Sequence, residues 1–173
     1  SSDLPKENKS KTSAKKRATS GDTSLNQGTN KFLSHQYAES SGKYSTYVAN
    51  NPSDHFAWYL LGESQLRTGA LSEALESFRK AINLNSKRGL YFKSAGMTFY
   101  FLERYKEAAD ALSRSINLGK NDPLCWTILG VCSYHLKRID ESLAQLKRST
   151  GKNPNNPLAM LYTAYALIEK GQQ

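Results

Sequence analysis

A repeat of 34 residues is the feature that most constrains the fold of this 173-residue chain. Large apolar residues return at one register of the repeat, at Trp58, Phe92, Trp126 and Met160. Small residues return four positions later, at Gly62, Gly96, Gly130 and Ala164. A fixed period of this length, kept without insertions, is typical of a solenoid in which one structural unit is stacked several times.

Each repeat predicts two helices that pack against each other. Trp58, Leu61, Gly62 and Gln65 follow the i, i+3, i+4, i+7 spacing of one helix face. In the following segment, a small residue, a large apolar residue and a second small residue each recur every 34 positions. These are Ala74, Ala108 and Ser142; Phe78, Leu112 and Leu146; and Ala81, Ser115 and Ser149. Gly62 removes a side chain where the second helix must approach, and Phe78 fills the space between them.

Start and stop signals place the helix ends. Asp122 and Asn156 each precede a proline, which is a helix-start signal, and Gly69 supplies a left-handed stop. The predicted helices cover about residues 53–68, 72–83, 88–101, 105–118, 123–135, 140–150 and 157–170. Every connection is short, so successive helices must run antiparallel as hairpins.

The composition changes abruptly near residue 30. Residues 1–30 hold six Lys/Arg against three Asp/Glu, with two Leu and no aromatic residue, Ile, Val or Met, so we expect a disordered basic arm. Residues 31–52 predict the second helix of a leading repeat whose first helix is missing. Full repeats then cover 53–86, 87–120 and 121–154, and 155–173 is the first helix of a fourth. The sequence therefore predicts an all-α solenoid.

The repeat pattern resembles a known family. The residues that carry the resemblance are Trp58, Leu61, Gly62, Ala74, Phe78, Ala81, Phe92, Gly96, Ala108, Trp126, Leu129, Gly130 and Pro154. Together they are similar to the tetratricopeptide repeat over about residues 34–170. The resemblance implies a right-handed superhelix whose first helices line a concave groove. Members are rarely catalytic, and the groove commonly holds a peptide or a partner's helix, as in adaptors and chaperone-associated scaffolds.

A second stripe on each first helix is implied to face that groove. Its members lie four residues apart, which keeps them on one face. They are Tyr59, Glu63, Arg67, Lys93, Met97, Phe101, Thr127, Val131, His135, Leu161 and Tyr165, with Tyr100 and Tyr134 extending the stripe. This aromatic and apolar content favours a protein segment with apolar anchors, either extended or an amphipathic helix. Alternatively, some of these residues, Val131 and Phe101 especially, pack against a neighbouring helix.

Other partner classes have weaker support. One subset of the family grips a free C-terminal carboxylate with Lys and Asn, but here Tyr59, Glu63, Leu124 and Ile128 stand at the corresponding places. Nucleic acid is the alternative partner, recognised by the basic arm and by a ladder of Lys80, Arg114 and Arg148. We do not expect it, because these cations lie late in the second helices, where the helix dipole and solvent favour them.

Chemistry beyond binding is not indicated. No catalytic constellation or phosphate loop is recognisable, so we expect no enzyme, no cofactor and no metal; Cys132 and His135 share a face but lack further ligands. Cys125 and Cys132 lie about 10 Å apart on one helix, beyond disulfide reach.

No apolar run approaches the roughly 18 residues of a membrane span. We expect a cytoplasmic protein, or a periplasmic or membrane-tethered one if a targeting segment has been removed.

The last predicted helix, 157–170, is apolar nearly all round. A terminal solenoid helix should keep one polar face. We therefore expect either self-association through this helix or a natural chain that continues beyond Gln173.

Overall fold

The computed structural model describes residues 23–172, and these residues form nine helices and no strand. In chain order they are α1 (residues 23–33), α2 (Tyr37–Asn50), α3 (His55–Arg67), α4 (Leu71–Leu84), α5 (Gly89–Phe101), α6 (Tyr105–Asn117), α7 (Pro123–His135), α8 (Ile139–Lys152) and α9 (Pro157–Gly171). The predicted all-α class is confirmed.

The helices form a stack of hairpins. The closest packing joins α3 to α4, α5 to α6 and α7 to α8, and neighbouring hairpins meet where α4 contacts α5, α6 contacts α7 and α8 contacts α9. The first helices α3, α5, α7 and α9 also touch one another in sequence. They therefore form one continuous side of the solenoid, which is the side that the candidate site occupies.

A glycine in the first helix lies under a large side chain of the second helix in each full hairpin. A Cβ atom at Gly62 would come within 2.6 Å of the Phe78 ring. The same contact recurs at 2.7 Å between Gly96 and Leu112 and between Gly130 and Leu146. Real Cβ atoms do not approach this closely, so the glycine register sets the distance between the two helices.

The leading repeat is more complete than the sequence predicts. Residues 23–33 are helical, and Ser40 Oγ donates a 2.9 Å hydrogen bond to the Gly28 carbonyl, which ties α1 to α2. The prediction that this repeat lacks its first helix is therefore wrong, and residues 23–30 do not belong to the arm. The signal is weak because Ser24 and Gln27 replace the apolar residues of that helix. Residues 1–22 of the predicted arm lie outside the described residues.

The helix ends follow the predicted chemistry. The Asp54 carboxylate accepts the amides of Phe56 and Ala57 at 3.0 and 3.1 Å, and the Asp122 carboxylate accepts the amide of Cys125 at 3.0 Å. After α3, Gly69 adopts a φ of +81°, which is the expected left-handed stop.

The terminal helix α9 buries little of its apolar surface. Within it, Ala159 and Ala166 are buried, whereas Met160, Leu167 and Ile168 are each more than half exposed. The apolar face predicted from the sequence is therefore open. None of the helices in residues 23–172 has both the length and the apolar character that a membrane span requires.

Candidate functional site

A cavity of about 470 Å³ opens on the side formed by the first helices. Six of the predicted groove residues line it, contributed by α3 and α5. They are Tyr59, Glu63, Arg67, Lys93, Met97 and Phe101. The structure thus brings together the predicted groove residues of the first two full repeats other than Tyr100.

Four further residues line this cavity and were not among the predicted groove residues: Leu66, Leu90, Ser94 and Leu124. Leu90 and Leu124 each lie one helical turn before a predicted groove position, Lys93 and Thr127. The i, i+3 spacing of a helix face was therefore the signal that could have identified them.

The cavity wall has a fixed aromatic side and an exposed apolar side. The Tyr59 ring stacks on Tyr91 with 5.1 Å between centroids and lies 6.1 Å from Phe78. Burial, followed by the adjacent Glu63 carboxylate, raises the pKa of the Tyr59 phenol, which stays neutral. On the other side, Phe101 of α5 is 53% exposed and Leu124 of α7 is 39% exposed. These two side chains offer apolar surface that the fold itself does not cover.

Two of the three charged groups in the cavity are already held by neighbours. Lys93 Nζ lies 2.6 Å from Asp122 Oδ2, and Ser94 Oγ donates to Glu63 Oε1 at 2.5 Å. Burial disfavours the charged form of Asp122, but its hydrogen bonds from Lys93 and the Cys125 amide outweigh this and lower its pKa. Arg67 is exposed, with its guanidinium carbon 5.9 Å from the Tyr37 ring centroid.

Three predicted groove residues lie instead in an aromatic cluster where α5, α6, α7 and α9 meet: Tyr100, Tyr134 and His135. The His135 ring stacks on Tyr105 at 4.2 Å, and its Nε2 lies 3.1 Å from the Tyr162 hydroxyl. Tyr134 packs edge-on against Tyr162 at 5.4 Å. The Tyr100 ring lies 6.3 Å from that of Tyr105, so these three predicted groove residues contact other aromatic rings and do not line the cavity, and of the three only His135 is exposed.

Two further predicted groove positions of the third full repeat are closed. Thr127 and Val131 are fully buried, so the prediction that they face a groove is wrong; for Val131 the burial agrees with the alternative that it packs inside the fold. Thr127 Oγ1 donates to the Pro123 carbonyl, lies 2.6 Å from Ser149 Oγ and accepts the Asn156 amide at 2.8 Å. Thr127 is thus enclosed by α8 and by Asn156, the residue that precedes α9.

The last two predicted groove residues, Leu161 and Tyr165, lie on α9 and remain nearly half exposed. The Tyr165 ring contacts Tyr134 and Tyr162 at 6.2 and 5.7 Å. Neither residue lines the cavity described above, so the predicted stripe does not form one continuous groove.

The basic ladder lies over the aromatic register of the first helices. Lys80 Nζ lies 4.1 Å from the Trp58 ring centroid. The guanidinium carbon of Arg114 lies 4.9 Å from the Phe92 ring centroid, and that of Arg148 lies 4.7 Å from the Trp126 ring centroid. The ladder cations thus cover the ends of the hairpin cores, and they do not form a separate phosphate-binding track.

The two thiols are buried in α7. Burial, with a smaller effect of Asp122, raises the pKa of Cys125 to about 11, and burial raises the pKa of Cys132 to about 12. Both are therefore poor nucleophiles and poor metal ligands at neutral pH. Within residues 23–172, no three His, Cys, Asp or Glu side chains are grouped so that they could hold a metal ion.

Solved structures of other proteins share this fold. YrrB, described as a tetratricopeptide repeat protein with an unusual peptide-binding site, is 22% identical; the match covers 87% of this chain and 77% of that chain, with a TM-score of 0.78. A MamA protein is 18% identical over 89% and 84% of the two chains, with a TM-score of 0.83. MamA from Desulfovibrio magneticus RS-1 is 13% identical over 88% and 86%, with a TM-score of 0.82.

Sequence comparison supports the same assignment. No curated protein matches the chain in sequence. A family model described as tetratricopeptide repeat matches residues 25–88 and 94–157, which make up well over half of the chain. The first match begins within α1, in agreement with the complete leading hairpin. The chain belongs to the tetratricopeptide repeat family.

Proposed function

We propose that this protein is a non-catalytic interaction scaffold that binds a short segment of a partner protein in the cavity between α3, α5 and α7. The observation that carries the proposal is the set of exposed apolar side chains, Phe101 and Leu124, on the rim of a 470 Å³ cavity. Its volume lies within the roughly 300–1,000 Å³ range of pockets that hold a ligand. It is large enough for one or two apolar side chains of a peptide.

The cavity is built for binding without rearrangement. Tyr59 is held by ring contacts to Tyr91 and Phe78, and Lys93 is held by Asp122. Rigid walls reduce the entropy lost when a ligand binds. Met97, with its flexible thioether side chain, can adjust the floor to different apolar groups. This combination supports a site for an apolar or aromatic anchor.

The similarity to YrrB is compatible with this proposal, because that protein is described as having a peptide-binding site. At 22% identity the similarity concerns the fold, so the proposal for this chain depends on its own cavity. The partly buried polar contacts between Glu63 and Ser94 and between Lys93 and Asp122 occupy these polar groups, so the apolar residues provide most of the remaining contact surface.

The test is selection of peptides from a random phage-displayed library on the intact chain, followed by fluorescence anisotropy with the tightest peptide. Met97→Glu places a charge in the cavity and should weaken binding at least tenfold. Phe101→Ala should weaken it several-fold, in line with the loss of a partly buried aromatic contact.

Leu84→Ala is the matched control, since Leu84 is an exposed apolar residue of α4, 45% accessible and outside the cavity. It should leave affinity unchanged, and circular dichroism melting should show that Met97→Glu stays folded. Failure to select any peptide, or equal affinity for the Met97→Glu and wild-type chains, would contradict the proposal.

A further inference from the structure

A second cavity, of about 560 Å³, lies at the edge of the solenoid beside the first. It is formed where the α4–α5 and α6–α7 connections meet the start of α3. Its lining residues are His55, Phe56, Lys87, Arg88, Gly89, Leu90, Tyr91, Leu118 and Lys120. Three of these are cations and none is a carboxylate, so the cavity combines positive charge with apolar surface.

The three cations of this edge cavity, Lys87, Arg88 and Lys120, form no ion pair within the part of the chain that the structure describes. The carboxylate of Asp54 lies nearby and raises the pKa of Tyr91, although burial is the larger cause and Arg88 acts in the opposite sense. That carboxylate already accepts two amides and the Tyr47 hydroxyl. Within residues 23–172, these cations are therefore not neutralised by ion pairs.

Backbone packing fixes the two connections relative to each other. Ser115 Oγ donates a 2.8 Å hydrogen bond to the Gly89 carbonyl, and Gly89 is buried. A Cβ atom at position 89 would lie 2.9 Å from the Ser115 carbonyl oxygen and 3.1 Å from Lys120 Cβ. Only glycine permits this approach, which places Lys120 beside the connection that carries Lys87 and Arg88.

The two cavities are neighbours. Leu90 lines both of them, and the Phe56 ring of the edge cavity stacks on Tyr59 of the concave cavity at 5.8 Å. A bound segment that reaches past Leu90 therefore passes from a mostly apolar surface to a cationic one. The start of α5 strengthens the positive potential there, because this helix has no side-chain cap and no acidic residue in its first turn.

We propose that the partner segment carries an apolar or aromatic anchor followed directly by acidic residues, with the anchor in the concave cavity and the carboxylates in the edge cavity. This inference rests on the proposed function and specifies the partner's chemistry. Complementary charge beside an apolar anchor fixes the direction in which a segment lies and rejects basic segments. The occupant is thus an acidic protein segment.

The experiment uses the tightest peptide from the phage selection, a version with its acidic residues replaced by Asn or Gln, and a version with Lys at those positions. Fluorescence anisotropy is measured on the intact chain, on Lys87→Glu/Lys120→Glu and on Lys43→Glu/Lys147→Glu. The latter changes the net charge equally at exposed positions of α2 and α8 that line neither cavity.

The selected peptide should be acidic beside its anchor, and Lys87→Glu/Lys120→Glu should weaken it about tenfold, as expected for two exposed charge pairs that become repulsive. The control variant should weaken binding of this peptide less than about twofold, because salt screens charges that lie far from the bound segment. The Lys version of the peptide should bind the Lys87→Glu/Lys120→Glu chain better than it binds the wild type.

The outcomes separate the two proposals. Selected peptides that need Met97 but carry no acidic residues, or that lose equal affinity in both charge variants, would overturn this inference and leave the proposed function standing. Acidic peptides that bind equally well after their apolar anchors are replaced by Ser would also overturn it. Failure to select any peptide would overturn both.

Discussion

The Tyr44 ring lies so close to the backbone of Gly28 that a Cβ atom at position 28 would be 2.8 Å from two of its carbons. The Tyr44 hydroxyl also lies 3.1 Å from Thr29 Oγ1. We predict that Gly28→Ala destabilises the chain by about 1–3 kcal/mol, because the fully buried ring cannot move away without opening the hairpin. The measurement is urea unfolding followed by circular dichroism.

Gly42→Ala provides the control for this substitution. Gly42 lies in α2, and a Cβ atom there would meet nothing within 4 Å. Alanine should therefore stabilise the helix by up to about 1 kcal/mol. Equal effects of the two substitutions would show that α1 does not pack on α2 as described.

The ladder contacts predict a stability effect that is repeated along the chain. Arg148→Ala removes the cation over Trp126 and should cost about 0.5–1 kcal/mol in the free energy of unfolding. Lys147→Ala, at the adjacent exposed position, should change it by less than about 0.5 kcal/mol. A double-mutant cycle with Trp126→Leu should show coupling for Arg148 and none for Lys147. Absence of coupling would show that the ladder side chains only face solvent and do not stabilise the aromatic residues beneath them.

The periodicity of the sequence predicts the hairpins well because the same physical contact recurs at each step. Gly62 and Phe78 are required by close helix packing, so their register alone fixes which faces meet. The leading helix was not predicted because Ser24 and Gln27 stand at its apolar registers and only Gly28 matches the repeat, although Leu25 also packs against the core.

The candidate site is only half predictable from the sequence. Lys93 and Thr127 occupy the same register, and so do Met97 and Val131, yet the first of each pair lines the cavity and the second is fully buried. Register specifies the helix face but not what covers it. The longer side chains Lys93 and Met97 extend to the cavity surface, whereas the short side chain of Thr127 is covered by Ser149 of α8 and by Asn156.

The turn between paired helices uses the left-handed region at the same register in four hairpins: His35, Gly69, Glu103 and Lys137, with φ of 61°, 81°, 57° and 61°. For a residue other than glycine, this left-handed backbone conformation costs about 1 kcal/mol. Glu103→Gly should therefore stabilise the chain by up to about 1 kcal/mol, because Glu103 is exposed.

Gly69→Ala is the reverse experiment, and it should destabilise the chain by about 1 kcal/mol without any steric clash, since nothing lies within 4 Å of the added carbon. Thermal unfolding of both variants checks the pair. Destabilisation by Glu103→Gly would mean that this side chain contributes more than its backbone strain costs.

Both thiols should be protected in the folded chain. Burial raises the pKa of Cys125 to about 11 and that of Cys132 to about 12, so the thiolate population near pH 8 is very small. We predict no reaction with a disulfide reagent at pH 8 over the time in which a free cysteine reacts completely. Addition of denaturant should release two equivalents, one from each cysteine. Rapid labelling of the folded chain would show that α7 opens locally.

The exposed face of α9 predicts self-association. Met160, Ala164 and Leu167 stand at the registers where Trp58, Gly62 and Gln65 of α3 pack against their own second helix. In α9 this face is open, with Met160 and Leu167 both 56% exposed. Burial of such a face against a second copy removes apolar surface from water at about 25 cal/mol per Å².

We therefore expect sedimentation equilibrium of this chain to show an average mass that rises with concentration, and Leu167→Glu to suppress the rise by placing a charge in the contact. Leu33→Glu is the matched control, because Leu33 is 72% exposed at the end of α1, at the opposite end of the hairpin stack. This control should associate like the wild type, since its charge lies outside the α9 face. A mass independent of concentration in the wild-type chain, or equal suppression by both substitutions, would rule out α9 as a contact between copies.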